Sequence, residues 1–333
     1  MSTFTSPTRI IEVTKNLRTL FELNTKPEDN MLIVTDTAMD PSCWQAAASA
    51  ANELDCQVSI AMMTPRPYVN AEPTAPVAEA MVKSDVVVYI TSKPIAHCKA
   101  GIEVLKADRM VVFMEEINME IMSSLGAALT KSEYSKMNEE GQKIREILDK
   151  GHRMHIASDF GTDLTVTIGP GRKPWVLAGF RNSFPPGGYA CGFPDGLVGV
   201  GPEPGTSEGT LVYDTWVHYP PGSLKEPIEL TIEKGWIKKI EGGLEARQLK
   251  DYIETYGDRN SWMCPSETSL GLNPKLVPTG VGRTDKKLRG AMIIALGKFA
   301  PYVESKLHID GVIRRPTVEI DGRKIVDKGI ILV

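Results

Sequence analysis

"DVVVYITS", Asp85–Ser92, sets five consecutive apolar residues before a Thr-Ser pair. A short apolar run without alternation fits a strand covered on both faces. Three more stretches read the same way: "NMLIVTDTAMD" (30–40), "CQVSIAMM" (56–63) and "RMVVFMEE" (109–116). Between them lie helical segments: the alanine-rich "SCWQAAASAANEL" (42–54), "PTAPVAEAMVKS" (73–84), with proline near its start, and "CKAGIEVLKAD" (98–108). Ahead of them, Ile10, Ile11, Val13, Leu17, Leu20 and Phe21 recur at helical spacing over Thr8–Leu23. Strand–helix alternation of this kind predicts an α/β N-terminal domain with a parallel sheet. No GxGxxG follows the first strand, and "DTAMDPS" offers a pyrophosphate no close approach, so nucleotide binding is not expected and this half reads as a scaffold.

The polar helix "TKSEYSKMNEEGQKIREILDKG" (130–151) reads as a connector, and the composition changes after it. Strand-like runs at 152–159, 163–169, 209–219 and 228–242 alternate with turns such as "GPGRKP", "FPPGG" and "GPEPG". Helices are expected at "LEARQLKDYIETYG" and near "KKLRGAMIIALGKF". The expected organisation is therefore an α/β scaffold domain over residues 1–150, followed by an α+β domain with mostly antiparallel strands over residues 151–333.

The chain has 333 residues, 42% hydrophobic and 24% charged, with a formal net charge of −4. No basic face is implied, so neither nucleic acid nor an anionic membrane is an expected partner. No apolar run approaches the roughly 20 residues of a membrane span, and the N-terminus lacks the pattern of a signal peptide. Five scattered cysteines without a CxxC read as free thiols in a reducing cytoplasm.

"SKLHIDGVI" (305–313) reads as a buried strand. Residues i and i+2 of a strand share a face, so His308 and Asp310 stand together, with Leu307 and Ile309 opposite. The pair suits either one divalent metal or a structural hydrogen bond. In "SETSLGLNP" (266–274), Glu267 reads as a turn carboxylate that is either a third ligand or solvated beside a helix cap formed by Ser266 or Thr268. Glu208, in "TSEGTLVYD", is a candidate proton carrier, a substrate contact or an edge-strand charge. His152 and His155 face opposite sides of a strand and do not share a metal, and Asp159 and Asp163 read as turn residues. Arg283, Lys286 and Arg289 in "GRTDKKLRG" read as a solvated helix face or as contacts to an anionic substrate. GxSxG, HExxH and the P-loop motif are absent.

The ordered series "EGTL", "IEKGWI", "GGLEA", "GLNP" and "HID" resembles the superfamily of aminopeptidase T metallopeptidases and 2,5-dihydroxypyridine 5,6-dioxygenases of nicotinate catabolism, most clearly over 184–333. The dioxygenases hold ferrous iron with a histidine ahead of a "GL-x-P" turn and both members of a late H-x-D. The resemblance thus implies His308 and Asp310 as ligands, with Glu267 where that histidine would stand, as in the aminopeptidases. Tyr189 and Ile293 occupy the places of the aminopeptidases' second-metal ligands, so two-metal peptidase chemistry is not expected. What the resemblance implies is one divalent metal per chain, Fe(II) with Zn or Mn as alternatives, in a homo-oligomer acting on a small molecule. The two chemistries are ring-opening dioxygenation of a hydroxylated N-heterocycle and hydrolysis of an amide, lactam or ring, with Glu208 moving the proton in the latter.

Overall fold

The computed structural model describes residues 6–333. The chain divides into two compact units, one comprising residues up to Asn138 with Leu177–Asp195, the other Glu139–Val176 with Gly196–Val333. The first half runs α1 (Pro7–Glu22), β1 (Asn30–Asp36), α2 (Pro41–Asn52), β2 (Gln57–Met63), α3 (Ala75–Lys83), β3 (Val86–Ile90), α4 (Lys99–Lys106), β4 (Met110–Phe113) and α5 (Met119–Met122). Helix α6 (Lys131–Lys150) leads to β5 (Arg153–Ala157), β6 (Asp163–Thr167) and β7 (Trp175–Leu177), and the chain then adds β8 (Asn182–Ser183) and β9 (Tyr189–Gly192) to the first unit. The rest comprises β10 (Leu197–Val200), β11 (Glu208–Tyr213), β12 (Trp216–Val217), β13 (Ile228–Glu233), β14 (Trp236–Gly242), α7 (Leu244–Tyr256), β15 (Glu267–Gly271), α8 (Gly282–Asp285), β16 (Met292–Phe299), β17 (Val303–Ile313), β18 (Thr317–Ile320), β19 (Arg323–Asp327) and β20 (Ile330–Ile331).

In the first unit the sheet order is β2-β1-β3-β4-β9-β8. The first five strands run parallel, and β8 pairs antiparallel with β9. Strands β1, β3 and β4 are buried almost throughout, which is why their sequences run apolar without alternating. The helices begin where local chemistry allows: Ser6 and Asp40 accept backbone N–H groups at the starts of α1 and α2, each with proline directly after the cap. Strand order reverses between β1 and β3, the switch point where α/β sheets commonly open a ligand crevice. Here Asp36 bridges it: Oδ2 accepts from Ser92 N at 2.7 Å and from Ser92 Oγ at 2.8 Å, while Oδ1 accepts from Ala38 N at 3.0 Å.

The second unit holds two sheets. One has the order β14-β13-β11-β6-β5-β18-β19-β20, with every pairing antiparallel. Alternating burial along β13 shows one face packed and one solvated. The other sheet, β12-β17-β16-β15-β10-β7, is buried along most of its length. "MIIALGKF", expected to be helical, is strand β16 in its middle. Apolar side chains are needed on both of its faces, so the helical reading fails because a buried central strand carries no period. Tyr213 links the two sheets: its hydroxyl donates to Ile294 O at 2.8 Å, and its ring lies so close to Gly311 that a Cβ there would sit 2.2 Å from it. Among the described residues no helix is long and apolar enough to cross a membrane, and all five cysteines are free and buried.

Candidate metal centre

Three pairings of the buried sheet fix the geometry. Glu267 of β15 lies opposite Ala295 of β16, Ala295 lies opposite Asp310 of β17, and Gly297 lies opposite His308. Directly paired residues share a face, so two carboxylates and an imidazole rise around a central strand that presents only Ala295 and Gly297. Glu267 opens a strand and is 6% exposed, which corrects its reading as a turn residue solvated beside a helix cap: its backbone is paired, and its side chain belongs to a buried sheet face.

Each side chain is held. Ser269, two residues along on the same face, donates to Glu267 Oε1 at 2.6 Å. A bulge between Gly297 and Phe299 brings the Lys298 carbonyl to His308 Nδ1. A carbonyl only accepts, so Nδ1 carries the proton and the ring turns Nε2 toward Asp310 and Glu267. Asp310 Oδ2 receives Lys286 Nζ at 2.7 Å. Lys286 follows α8, where Asp285 accepts the backbone N–H groups of Thr279 and Gly280 at 2.8 and 2.9 Å. Gly282 lets that turn sit on Trp216, since a Cβ there would be 2.3 Å from the indole.

Burial and charge act in opposite directions across this cluster. Burial, reinforced by Asp310, pushes the Glu267 carboxyl up to about 7. Burial also favours the protonated form of Asp310, but Lys286, His308 and His218 outweigh it and hold the carboxyl well below its usual range. For His308, burial disfavours the charged ring, yet Asp310 and Glu267 prevail and raise its pKa. His218 is driven well below the ordinary histidine value, chiefly by burial.

The imidazole stands within ion-pair distance of both carboxylates. His308 Nε2 lies 2.8 Å from Asp310 Oδ1 and 3.8 Å from Glu267 Oε2. Both separations fall within twice the roughly 2.1 Å bond that a shared metal requires.

A family model described as NicX, 2,5-dihydroxypyridine 5,6-dioxygenase, matches residues 12–333. The chain belongs to this family. The match to the 2,5-dihydroxypyridine 5,6-dioxygenase family thus extends well ahead of 184–333, the stretch over which the order of segments resembles it. A 2,5-dihydroxypyridine 5,6-dioxygenase from Pseudomonas putida KT2440 is 32% identical over 143 residues, 42% of this chain and 39% of the relative, so the matched stretch spans about two fifths of that protein. The solved 2,5-dihydroxypyridine dioxygenase from the same organism superposes with a TM-score of 0.79 at 20% identity, covering 97% of this chain and 98% of that one. AmpT from Thermus thermophilus superposes with a TM-score of 0.68 at 13% identity, covering 97% and 99%. Both structural likenesses concern the fold.

Other sequence candidates lie elsewhere in this family member. Glu208 is exposed at the start of β11, in the other sheet, where Oε1 accepts from Lys234 N at 2.9 Å. His155 pairs with Asp163 at 2.8 Å, which gives that aspartate a partner beyond its expected turn role. The basic run is not a solvated helix face: Arg283 is buried, Lys286 pairs with Asp310, and exposed Arg289 forms a bidentate pair with Glu140. His218 was not singled out by the sequence. It stands alone in "TWVHYPP" with no spacing motif, and only the β12–β17 pairing brings it to Asp310.

Proposed function

We propose that this chain is a mononuclear ferrous dioxygenase that opens the ring of a small hydroxylated nitrogen heterocycle, with Glu267, His308 and Asp310 holding one divalent cation per chain. The convergence of these three side chains over Ala295 carries the reading, and membership of the 2,5-dihydroxypyridine 5,6-dioxygenase family supports it. Ferrous iron with three protein ligands and open positions supplies the redox chemistry through which dioxygen reacts with an electron-rich ring. The chain's own residues prepare that centre. Lys298 O fixes the His308 tautomer, Ser269 orients Glu267, and Lys286 keeps Asp310 ionised. The buried sheet face limits access of water, which strengthens every charge interaction within it. The proposal includes a homo-oligomer in the cytoplasm, where free thiols persist.

The test uses anaerobically purified protein loaded with Fe(II) and given 2,5-dihydroxypyridine with a measured amount of oxygen. The expected result is oxygen uptake equal to substrate loss, with both oxygen atoms in the product. Turnover of an amide or lactam without oxygen, sustained by Zn or Mn, would instead support the hydrolytic alternative.

A further inference from the structure

His218 is clamped to the proposed ligand strand by two hydrogen bonds. Its backbone N–H donates to Asp310 O at 3.0 Å, and its ring Nδ1 accepts from Asp310 N at 2.8 Å. An Nδ1 that accepts carries no proton, so the neutral ring keeps its proton on Nε2. That tautomer rules the ring out as a cation ligand and makes Nε2–H a donor.

The donor has no partner. The side chain is 1% exposed, Nε2 makes no hydrogen bond, and the nearest carboxylate oxygen, Asp310 Oδ2, is 3.7 Å away, beyond hydrogen-bond reach. Buried donors are rarely left unmade, because nothing repays their lost hydration. Trp216 fixes the ring's position, its indole meeting the imidazole edge-on at 4.8 Å between centroids. Lys286 Nζ, 5.9 Å from the same indole, binds the same Asp310 oxygen. A neutral N–H and an ammonium therefore flank one carboxylate oxygen beside His308.

We propose that His218 Nε2–H is a substrate-binding donor that receives a ring oxygen of a hydroxylated heteroaromatic substrate, with Lys286 favouring the ionised form of that oxygen. The inference rests on the reading of Glu267, His308 and Asp310 as holders of one divalent cation.

The experiment compares anaerobic binding of 2,5-dihydroxypyridine, 2-hydroxypyridine and 3-hydroxypyridine to the Fe(II)-loaded protein by calorimetry. It is run on wild type, His218→Asn and His218→Gln. Asparagine keeps an acceptor for Asp310 N–H but ends short of the Nε2 position, whereas glutamine carries an amide donor to it. The expected result is a wild-type preference for the dihydroxy probe over at least one monohydroxy probe. That preference falls roughly tenfold in His218→Asn and partly returns in His218→Gln, with iron content unchanged in both. Wild-type preference in both variants overturns the inference. Loss of iron or of folding in both also overturns it, by making His218 a ligand or a scaffold residue. If wild type takes up no iron and binds none of the probes, the proposed function fails and this inference falls with it.

Discussion

Lys286 Nζ lies 2.7 Å from Asp310 Oδ2, and little of either side chain reaches solvent. Removing one partner of a buried ion pair leaves the other charge uncompensated, at a cost of about 3–5 kcal/mol. Lys286→Met is expected to lower the stability of the metal-free protein by about 3 kcal/mol, and by less when Mn(II) supplies the missing positive charge. Urea unfolding with and without Mn(II) checks this. Asp310 is held well below its usual range, so its contribution is present above the unfolded carboxyl's pKa and is lost as pH falls through the folded value. In Lys286→Met that loss begins at higher pH.

Ala295 stands between Glu267 and Asp310 on the central strand. Leucine there would fill the space over which the ligands meet. Ala295→Leu is expected to cost about 1–3 kcal/mol from overpacking and to abolish metal uptake while far-UV circular dichroism stays native. Elemental analysis of the folded variant reads the outcome.

The Glu267 carboxyl is pushed up to about 7 in the metal-free chain. The folded chain then binds this proton more tightly than the unfolded one. Its contribution to stability is full below the ordinary 4.5 and fades as pH rises through about 7. A cation must displace that proton. Affinity for Mn(II) is therefore expected to fall up to about tenfold per pH unit below about 7 and to level off above it. Glu267→Gln should flatten the slope, Glu267→Ala should lower metal content and Glu267→His should retain it. Calorimetry in buffers of different ionisation enthalpy counts the protons released.

Gly311 follows Asp310 and lies against the Tyr213 ring, where a Cβ would approach to 2.2 Å. Gly311→Ala is expected to destabilise the protein by about 1–3 kcal/mol and to weaken metal binding, because strand β17 must move to relieve the clash. Thermal unfolding and a metal titration of the same sample test both effects.

How legible the centre was depended on the distance over which its information travels. His308 and Asp310 were readable because two residues in one strand share a face whatever surrounds them. Glu267 reads as a turn residue because "SETSLGLNP" carries hydroxyls, glycine and proline. Its strand character comes from β10 and β16, which lie far away in sequence. "MIIALGKF" gave no period because it is covered on both sides, and an unbroken apolar run does not separate strand from helix. The role of His218 rests on pairing across 92 residues, which no local pattern records. In the parallel sheet the alternation of strands and helices was local, and the sequence shows it directly.

Gly297 pairs with His308 but Phe299 pairs with Val303, so the extra residues of this bulge lie on β17. A strand pair that slips by one position turns every side chain to the opposite face. Deleting a single residue from this hairpin would therefore point His308 and Asp310 away from Glu267 and send Leu307 and Ile309 in their place. Length changes along this ribbon are thus tolerable during evolution only as compensated pairs, even in segments that carry no ligand.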